Sequence, residues 1–119
     1  MSMEIKTSSY IHQQWEYKQR IIILCQVGSI FVDIIFSPNG EDKKAFIWGL
    51  NVEEKYRNNG IGTELLKQAE ECVRKLFIHT VELEWESPTP LWVYKMYINN
   101  GYKEKDFGDG YSRLYKELK

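Results

Sequence analysis

A strand-like segment, a loop with two glycines and a helical pattern follow one another in the middle of the chain. The segment Ala45–Val52 is apolar, and the loop after it reads Tyr56-Arg57-Asn58-Asn59-Gly60-Ile61-Gly62-Thr63. Glycine lets a backbone approach a ligand closely, and the first turn of a helix offers free N–H groups at the positive end of its dipole. Arg57 adds a positively charged guanidinium with several N–H donors, and this arrangement predicts an anion site suited to a pyrophosphate. A turn that needs glycine only to enter the helix explains the octapeptide about equally well.

Apolar runs on either side of this loop predict strands. In chain order they are Ile21–Cys25, Ile30–Phe36, Lys44–Val52, Thr80–Glu86, Tyr102–Asp106 and Tyr111–Leu118. Gly49 lies inside one of them, and a glycine within a strand indicates a bulge or the close approach of another group. The first twenty residues fit neither the strand nor the helix period, and we interpret them as a first strand with an irregular extension.

Two segments have the apolar spacing of a helix. The longer runs from Gly60 to His79, and the shorter from Leu91 to about Asn100. Thr89 is the predicted N-cap of the second helix, and Gly101 is its predicted C-cap.

The order of these elements constrains the fold. A strand–helix–strand unit implies a right-handed crossover and at least one parallel strand pair, whereas the hairpins are antiparallel. We therefore expect an α/β fold in which two main helices pack on a mixed, mostly antiparallel, twisted sheet. The 119 residues suffice for a single domain spanning residues 1–119.

Charge and cysteine content exclude several classes of protein. The net charge is −1, so no overall positive field draws the chain to nucleic acid or to an anionic membrane. Cys25 and Cys72 lie inside apolar segments, and we interpret them as core residues in a reducing compartment, not as a disulfide or metal ligands. No run of apolar residues approaches transmembrane length and no signal-peptide pattern opens the sequence, so we expect a cytoplasmic protein. From the placement of the cysteines we also expect no metal site.

Three short motifs occur in a fixed order in the second half of the chain. They are Leu50-Asn51-Val52, then Arg57-Asn58-Asn59-Gly60-Ile61-Gly62, then Met96-Tyr97-Ile98-Asn99-Asn100-Gly101-Tyr102. They resemble the cofactor strand, the Arg/Gln-x-x-Gly-x-Gly/Ala loop and the Leu-Tyr-x-x-x-Gly-Phe helix end of the GNAT superfamily of acyl-CoA N-acyltransferases. The resemblance covers roughly residues 44–119 and implies a GNAT-like sheet with a splayed central parallel pair.

The resemblance implies acetyl-CoA as a co-substrate. Its pyrophosphate would be held by Arg57, Asn58, Asn59, Gly60, Ile61, Gly62 and Thr63. The main chain of Leu50, Asn51 and Val52 would pair with the pantetheine arm like an added strand. A bulge at Gly49 would open the slot for this arm, and a backbone N–H near Leu50 would act as the oxyanion donor.

The resemblance also implies that Tyr97 lies near the sulfur and protonates the departing thiolate. From the residues alone, a core tyrosine on an amphipathic helix is the favoured interpretation, and the family context reverses that preference. Glu84 and Glu86 are candidates for accepting the amine proton, because they lie on one face of the same strand, although a solvated acidic face is the simpler reading. Some family members carry a glutamate in the cofactor strand, where this chain has Lys44.

The acceptor side differs from the usual family pattern. Relatives usually place one or two helices between their first two strands, and this chain has little room for them before Ile21. A reduced acceptor wall favours an exposed acceptor, such as a side chain on another protein, or a pocket completed by a second subunit of a homodimer. Most of the aromatic residues that could line a pocket are expected in the core; they are Trp48, Trp85, Trp92 and Tyr94.

The sequence therefore leaves two functions open. The leading one is an N-acetyltransferase that moves an acetyl group from acetyl-CoA to a primary amine of a small molecule or a protein. The alternative is a non-catalytic acyl-CoA-binding module or regulatory subunit. A nucleic-acid-binding domain would need a basic aromatic face, and the charge balance argues against it.

Overall fold

The computed structural model describes residues 3–12, 16–37, 42–84, 90–106 and 112–118. Within these residues seven strands and two α-helices follow one another, with a short 3-10 turn at Glu54–Tyr56. They are β1 (Glu4–His12), β2 (Glu16–Cys25), β3 (Gly28–Phe36), β4 (Lys43–Val52), α1 (Ile61–Lys75), β5 (Thr80–Glu84), α2 (Leu91–Asn99), β6 (Lys103–Asp106) and β7 (Ser112–Glu117). Neither described helix is long and apolar enough to cross a bilayer.

The described strands form one mixed sheet in the order β1-β2-β3-β4-β5-β7-β6. Strands β1 to β4 are an antiparallel meander, β7 is antiparallel to both β5 and β6, and β4 and β5 are the parallel pair. This architecture confirms the predicted α/β class with its mostly antiparallel sheet, central parallel pair and two main helices.

The parallel pair is short. Only Ala45 with Val81 and Phe46 with Glu82 are paired between β4 and β5, although β4 continues to Val52. The two strands therefore diverge towards their C-terminal ends, as the predicted splay requires.

Both helices pack on the same face of the sheet. The units β4-α1-β5 and β5-α2-β6 each join parallel strands and advance in the same direction, so right-handed crossovers put both helices on one side. Contacts agree, because Lys116 of β7 bonds Glu70 of α1 and Tyr94 of α2 bonds Glu104 of β6. We call this the helix face, and we call the other, which carries no described helix, the open face.

The core lies between the helix face and α1. The side chains buried there from the strands include Ile23, Ile30, Val32, Ile34, Ala45, Ile47, Val81 and Leu114. Helix α1 contributes Leu65, Leu66, Ala69 and Val73 from its apolar stripe. Burying such side chains stabilises the fold by about 1.5–3 kcal/mol each.

Helix α1 ends at Lys75, so the predicted end at His79 is wrong. Phe77 adopts a left-handed backbone conformation, with φ +60°, and its N–H donates to the carbonyl of Arg74. The N–H of Ile78 reaches back to the carbonyl of Val73, which completes a Schellman-type ending. Glycine usually occupies the left-handed position, and its absence here hid the helix end from sequence analysis.

The described N-terminal residues form two regular strands, so the irregular extension predicted for this part of the chain is wrong for residues 4–12 and 16–20. β2 begins at Glu16, and only three residues separate it from His12 at the end of β1. The two strands pair directly, from Glu4 opposite Leu24 to His12 opposite Glu16. Helices of the kind that relatives place between these strands have no room in this chain.

The helix caps and the cysteines were further subjects of prediction. Gly101 has a φ of +94° just after α2, which confirms it as part of the C-terminal cap. Cys25 and Cys72 are free thiols that are partly buried against the core. Helix α2 begins at Leu91 and its N-cap residue is Pro90, which has an extended backbone conformation, so the predicted N-cap at Thr89 is wrong. Trp85, Glu86 and the turn predicted at residues 107–110 lie outside the described residues.

Candidate functional site

The bulge predicted at Gly49 is present in β4. The register between β3 and β4 shifts between Ser29 and Phe31, and Gly49 has a φ of +67°. A Cβ atom at Gly49 would collide with the ring of Phe31. Glycine is thus required here both for its backbone conformation and for the close approach of a neighbouring ring.

The loop after β4 leads into an open helix N-terminus. Asn58 and Gly60 both have left-handed backbone conformations, with φ values of +67° and +79°. The first intrahelical bond of α1 runs from the N–H of Glu64 to the carbonyl of Gly60. The N–H groups of residues 61–63 therefore precede the helical ladder and can donate to a ligand. A Cβ at Gly60 would meet no atom within 4 Å, so the space in front of this turn is open.

Arg57 connects the end of β4 to the start of α2. Its Nε donates to the carbonyl oxygen of Val52 at 3.0 Å. Its guanidinium lies over the ring of Trp92, 4.3 Å from the ring centroid. The charge is thereby held beside the loop by one hydrogen bond and one ring contact, and the guanidinium has four further N–H donors for an anion.

Gly62 has a structural role that the sequence did not indicate. A Cβ at this position would approach the sulfur of Met96 in α2 to 2.6 Å and Cγ2 of Val52 to 3.8 Å. The glycine therefore allows α1, α2 and the end of β4 to meet closely. The contact fixes the N-terminus of α1 relative to the end of β4.

Tyr97 lies on the buried side of α2. Only 5% of its surface is exposed, and burial raises the pKa of its phenol well above the ordinary value. Its ring meets that of Tyr102 edge to face, with centroids 5.2 Å apart. The phenol therefore stays protonated at neutral and moderately alkaline pH, which is the form that an acid needs.

A buried ion pair that sequence analysis missed lies behind Tyr97. Glu70 of α1 is 3% exposed, and Nζ of Lys116 approaches its two carboxylate oxygens at 2.8 and 3.1 Å. The hydroxyl of Tyr102 donates to the same carboxylate at 3.4 Å. Burial, followed by the charge of Glu70, raises the pKa of Tyr102. The signal for this cluster was Glu70 on the apolar stripe of a helix, between Leu66 and Val73.

A second missed cluster lies on the open face. Asp33 accepts hydrogen bonds from Nε and Nη2 of Arg20, at 2.8 and 3.2 Å, and Nζ of Lys18 lies 2.9 Å from its carboxylate. Burial alone would raise the pKa of Asp33, but the hydrogen bonds from Arg20, Lys18 and Trp48 outweigh it and hold the pKa below its usual value. An aspartate inside an apolar strand was the available signal.

The predicted bases are only partly placed. Glu84 ends β5 opposite Arg113, and Glu86 lies outside the described residues. Glu82, two residues before Glu84, lies 4.0 Å from the guanidinium of Arg113. Lys44 is exposed near the start of β4. The assignment of a base to Glu84 or Glu86 stays a prediction.

A groove of about 470 Å³ lies at the other end of the parallel pair. Its lining includes Lys43, Ala45, Leu76, His79 and Thr80, around the starts of β4 and β5 and the end of α1. It is therefore separate from the loop at residues 57–63. Among the residues that the structure describes, no three His, Cys, Asp or Glu side chains come together as a metal site.

Comparisons with known proteins agree with this architecture. The sequence profile of the Acetyltransferase (GNAT) family matches residues 6–102. An acetyltransferase of the GNAT family from Staphylococcus aureus has a TM-score of 0.65 and 23% identity, over 86% of this chain and 68% of that one. An acetyltransferase from Streptococcus agalactiae has a TM-score of 0.63 and 21% identity, over 85% and 67%. The PaiA N-acetyltransferase from Thermoplasma acidophilum, solved with coenzyme A, has a TM-score of 0.61 and 22% identity, over 83% and 60%. No curated protein matches the chain.

Proposed function

Because the chain belongs to the acetyltransferase (GNAT) family, we propose that it transfers an acetyl group from acetyl-CoA to a primary amine. The observation that carries the proposal is the stretch of β4 beyond Phe46, which pairs with β3 on one side and has no strand partner among the described residues of β5 on the other. Beyond Phe46 this strand leaves β5 and runs to Val52, next to Arg57 and the open N-terminus of α1. A free strand edge beside an anion site suits a ligand with an amide-bearing arm and a pyrophosphate.

The residues of the loop fit the pyrophosphate. The space in front of Gly60 is open, and the N–H groups of residues 61–63 precede the helical ladder. Arg57 supplies a full charge close to these donors. Together they would hold the anion by backbone donors, a helix dipole and a guanidinium. Asn58 and Asn59 shape the loop, since Asn58 takes a left-handed conformation and Nδ2 of Asn59 donates to the carbonyl of Tyr56 at 3.3 Å.

The residues of β4 would hold and polarise the reactive end. The main chain of Leu50, Asn51 and Val52 would pair with the amides of the pantetheine arm, and an N–H near Leu50 would donate to the thioester oxygen as negative charge develops there. The bulge at Gly49 supports this role, because it sets β4 apart from a regular ladder just before Leu50.

The proton balance assigns roles to the remaining residues. An alkylamine with a pKa of roughly 10 must lose a proton before its nitrogen can attack the thioester carbon. Glu84 and Glu86 are the proposed acceptors of this proton, directly or through water. As the carbon–sulfur bond breaks, Tyr97 would donate its phenolic proton to the leaving sulfur, and the second proton of the former amine nitrogen would return to the phenolate, directly or through water. The products are an N-acetylated acceptor and the free thiol.

Calorimetric titration with acetyl-CoA and with desulfo-CoA tests the cofactor site. We expect micromolar-range binding to the wild type and none to Gly60→Trp, whose side chain would fill the open space before α1. Lys75→Trp, at the exposed far end of the same helix, is the matched control and should bind like the wild type. Failure of the wild type to bind either ligand would overturn the proposal.

A non-catalytic acyl-CoA-binding module is the second candidate. It is favoured by the exposed Lys44 in the strand where some relatives carry a glutamate. A panel of primary amines assayed with acetyl-CoA separates the two functions. An enzyme that uses Tyr97 as its acid loses turnover in Tyr97→Phe and keeps its cofactor affinity, whereas a binding module has no turnover in either form.

A further inference from the structure

Arg57 carries a positive charge that no described carboxylate neutralises. Glu53, Glu54 and Glu64 are the acidic residues nearest to it along the chain, and among the described residues none of them forms an ion pair with it. The N-terminus of α1, four residues further on, adds the positive end of a helix dipole. These two positive features favour the negative charge of a ligand.

Two contacts hold the side chain of Arg57 in place. Its Nε donates to the carbonyl oxygen of Val52 at 3.0 Å, and the carbon of its guanidinium lies 4.3 Å from the centroid of the Trp92 ring. At this distance the face of the indole attracts the positive charge, and tryptophan gives the strongest attraction of this kind among the aromatic residues. The first contact fixes one nitrogen of the guanidinium, and the second holds the rest of the group against α2.

Trp92 lies on the side of α2 that faces the loop after β4. Met96, one helical turn further along, is the residue with which a Cβ at Gly62 would collide. Val93 and Tyr97, which are also one turn apart, lie on the buried side of the same helix. Helix α2 is therefore joined to the loop by two contacts, and Trp92 makes the one that involves a charge.

The Trp92 side chain also has a packing role. It is half-buried and packs against the hydrophobic core. Packing alone requires apolar volume, which an aliphatic side chain can supply, whereas the attraction of a cation requires the face of an aromatic ring. The two roles therefore predict different results for replacement by an aliphatic and by an aromatic residue.

An arginine that is already held in place binds an anion more tightly than a mobile one. A mobile side chain loses rotamer freedom when the ligand fixes it, whereas this cost is smaller for a side chain that the protein has fixed in advance. The ring of Trp92 attracts the charge of Arg57 as a whole, so the remaining N–H donors of the guanidinium stay available to a phosphate.

We propose that Trp92 is a positioning residue for the cofactor. Its ring holds the guanidinium of Arg57 beside the N-terminus of α1 and thereby strengthens the binding of the pyrophosphate of acetyl-CoA. Trp92 acts through Arg57 and not by touching the ligand. This role rests on the proposed function, since it concerns the same cofactor site.

Calorimetric titration of the full chain with desulfo-CoA tests this role through a double-variant cycle. The four proteins are the wild type, Arg57→Ala, Trp92→Leu and the double variant. We expect Arg57→Ala to weaken binding about 30-fold, and Trp92→Leu to weaken it about fivefold. When Arg57 is already alanine, Trp92→Leu should weaken binding by less than about twofold, because the ring then has no cation to hold.

Two further variants separate the ring from the packing. Trp92→Phe should weaken binding only about twofold, because phenylalanine keeps an aromatic face for the guanidinium. Tyr94→Leu is the matched control, since it also replaces a half-buried aromatic residue of α2 by leucine, but Tyr94 bonds Glu104 of β6. It should bind desulfo-CoA like the wild type. If circular dichroism shows that Trp92→Leu does not fold, Trp92→Met takes its place in the cycle, because the flexible methionine side chain adapts to the space.

Three results would overturn the role of Trp92 and leave the proposed transferase intact. They are unchanged binding by Trp92→Leu, a loss of the same size when Arg57 is alanine, and an equal loss in Tyr94→Leu. Each of them presupposes a wild type that binds desulfo-CoA. A wild type that does not bind this ligand contradicts the proposed function, and the role of Trp92 with it.

Discussion

Removing the positive partner of the buried Glu70 should strongly destabilise the fold. In Lys116→Met the carboxylate loses contacts of 2.8 and 3.1 Å, and it keeps only the hydroxyl of Tyr102 at 3.4 Å. Glu70 is 3% exposed, so water cannot replace the lost partner without a structural change. An uncompensated buried charge then has to be protonated or exposed.

The size of the effect follows from burial. Breaking a buried ion pair by removing one partner costs about 3–5 kcal/mol. The Lys116 side chain is 25% exposed, and partial access of solvent at that side places the expected loss near the lower end, at about 3 kcal/mol. For a domain of this size the loss corresponds to a decrease in Tm of roughly 12 °C.

Urea denaturation of the wild type, the two single variants and the double variant measures the coupling. Lys116→Met should lose about 3 kcal/mol, and the double variant Glu70→Leu, Lys116→Met should recover much of that loss, because apolar pairs often replace buried ion pairs at little cost. The cycle with Glu70→Leu should give an interaction free energy of about 2 kcal/mol. Lys67→Met, on the exposed side of α1, is the control and should change stability by less than about 0.5 kcal/mol. A loss below about 1 kcal/mol in Lys116→Met would refute the reasoning.

Three further predictions concern the site and its supports. Tyr97→Phe should lower kcat by about 10²-fold or more and leave the affinity for acetyl-CoA unchanged; a parallel loss of affinity in calorimetry would contradict the role of Tyr97 as an acid. Because the pKa of Tyr97 is raised, the kcat of the wild type should not fall between pH 7 and about pH 9 through loss of the phenolic proton. Gly49→Ala should lower the free energy of unfolding, measured with urea, by about 2–4 kcal/mol, because alanine is strained in the left-handed conformation and its Cβ collides with the Phe31 ring. Adding Phe31→Leu should relieve only the collision, so full recovery of stability would contradict the contribution of the backbone. The pKa of Asp33 is lowered in the folded state, so the ionised carboxylate stabilises the fold above about pH 4, and this contribution is lost as the pH falls through the lowered pKa. The Tm of the wild type should therefore fall more steeply below about pH 4 than the Tm of Asp33→Asn, and parallel curves of Tm against pH would contradict this.

The sequence predicted those parts of the fold whose cause is local. The alternation from Thr80 onward placed Val81 and Leu83 in the core and Glu82 on the other face, because side chains alternate along a strand and one face of this sheet is buried against the helices. The apolar stripe of α1 was equally readable. Gly49 was correctly interpreted as a bulge, since few other causes put a glycine inside an apolar strand.

The missed features depend on partners that are distant in the chain. The first half of β2 carries Lys18 and Arg20, in a segment whose sequence fits neither the strand nor the helix period, and their buried partner Asp33 lies on the next strand. Glu70 and Lys116 are likewise brought together by the crossover of the chain. Gly62 was assigned to the ligand, and its contact with Met96 could not be foreseen without the packing of the two helices.

The short parallel pairing is also the place where two ladders of strands, which we call units, meet within the one sheet. Each strand from β1 to β4 pairs with its neighbour in sequence, while β5, β7 and β6 form a second ladder, so each unit is complete in its own pairing. The two ladders share only the pairs Ala45 with Val81 and Phe46 with Glu82. Among the strand amides, those of β4 beyond Phe46 that point towards β5 should therefore exchange faster than the paired ones. The proposed ligand would contact both units and, at a concentration of 100 times its Kd, would stabilise the folded chain by about 2.7 kcal/mol. In a cell, the lifetime of such a protein would then follow the supply of the ligand that it binds.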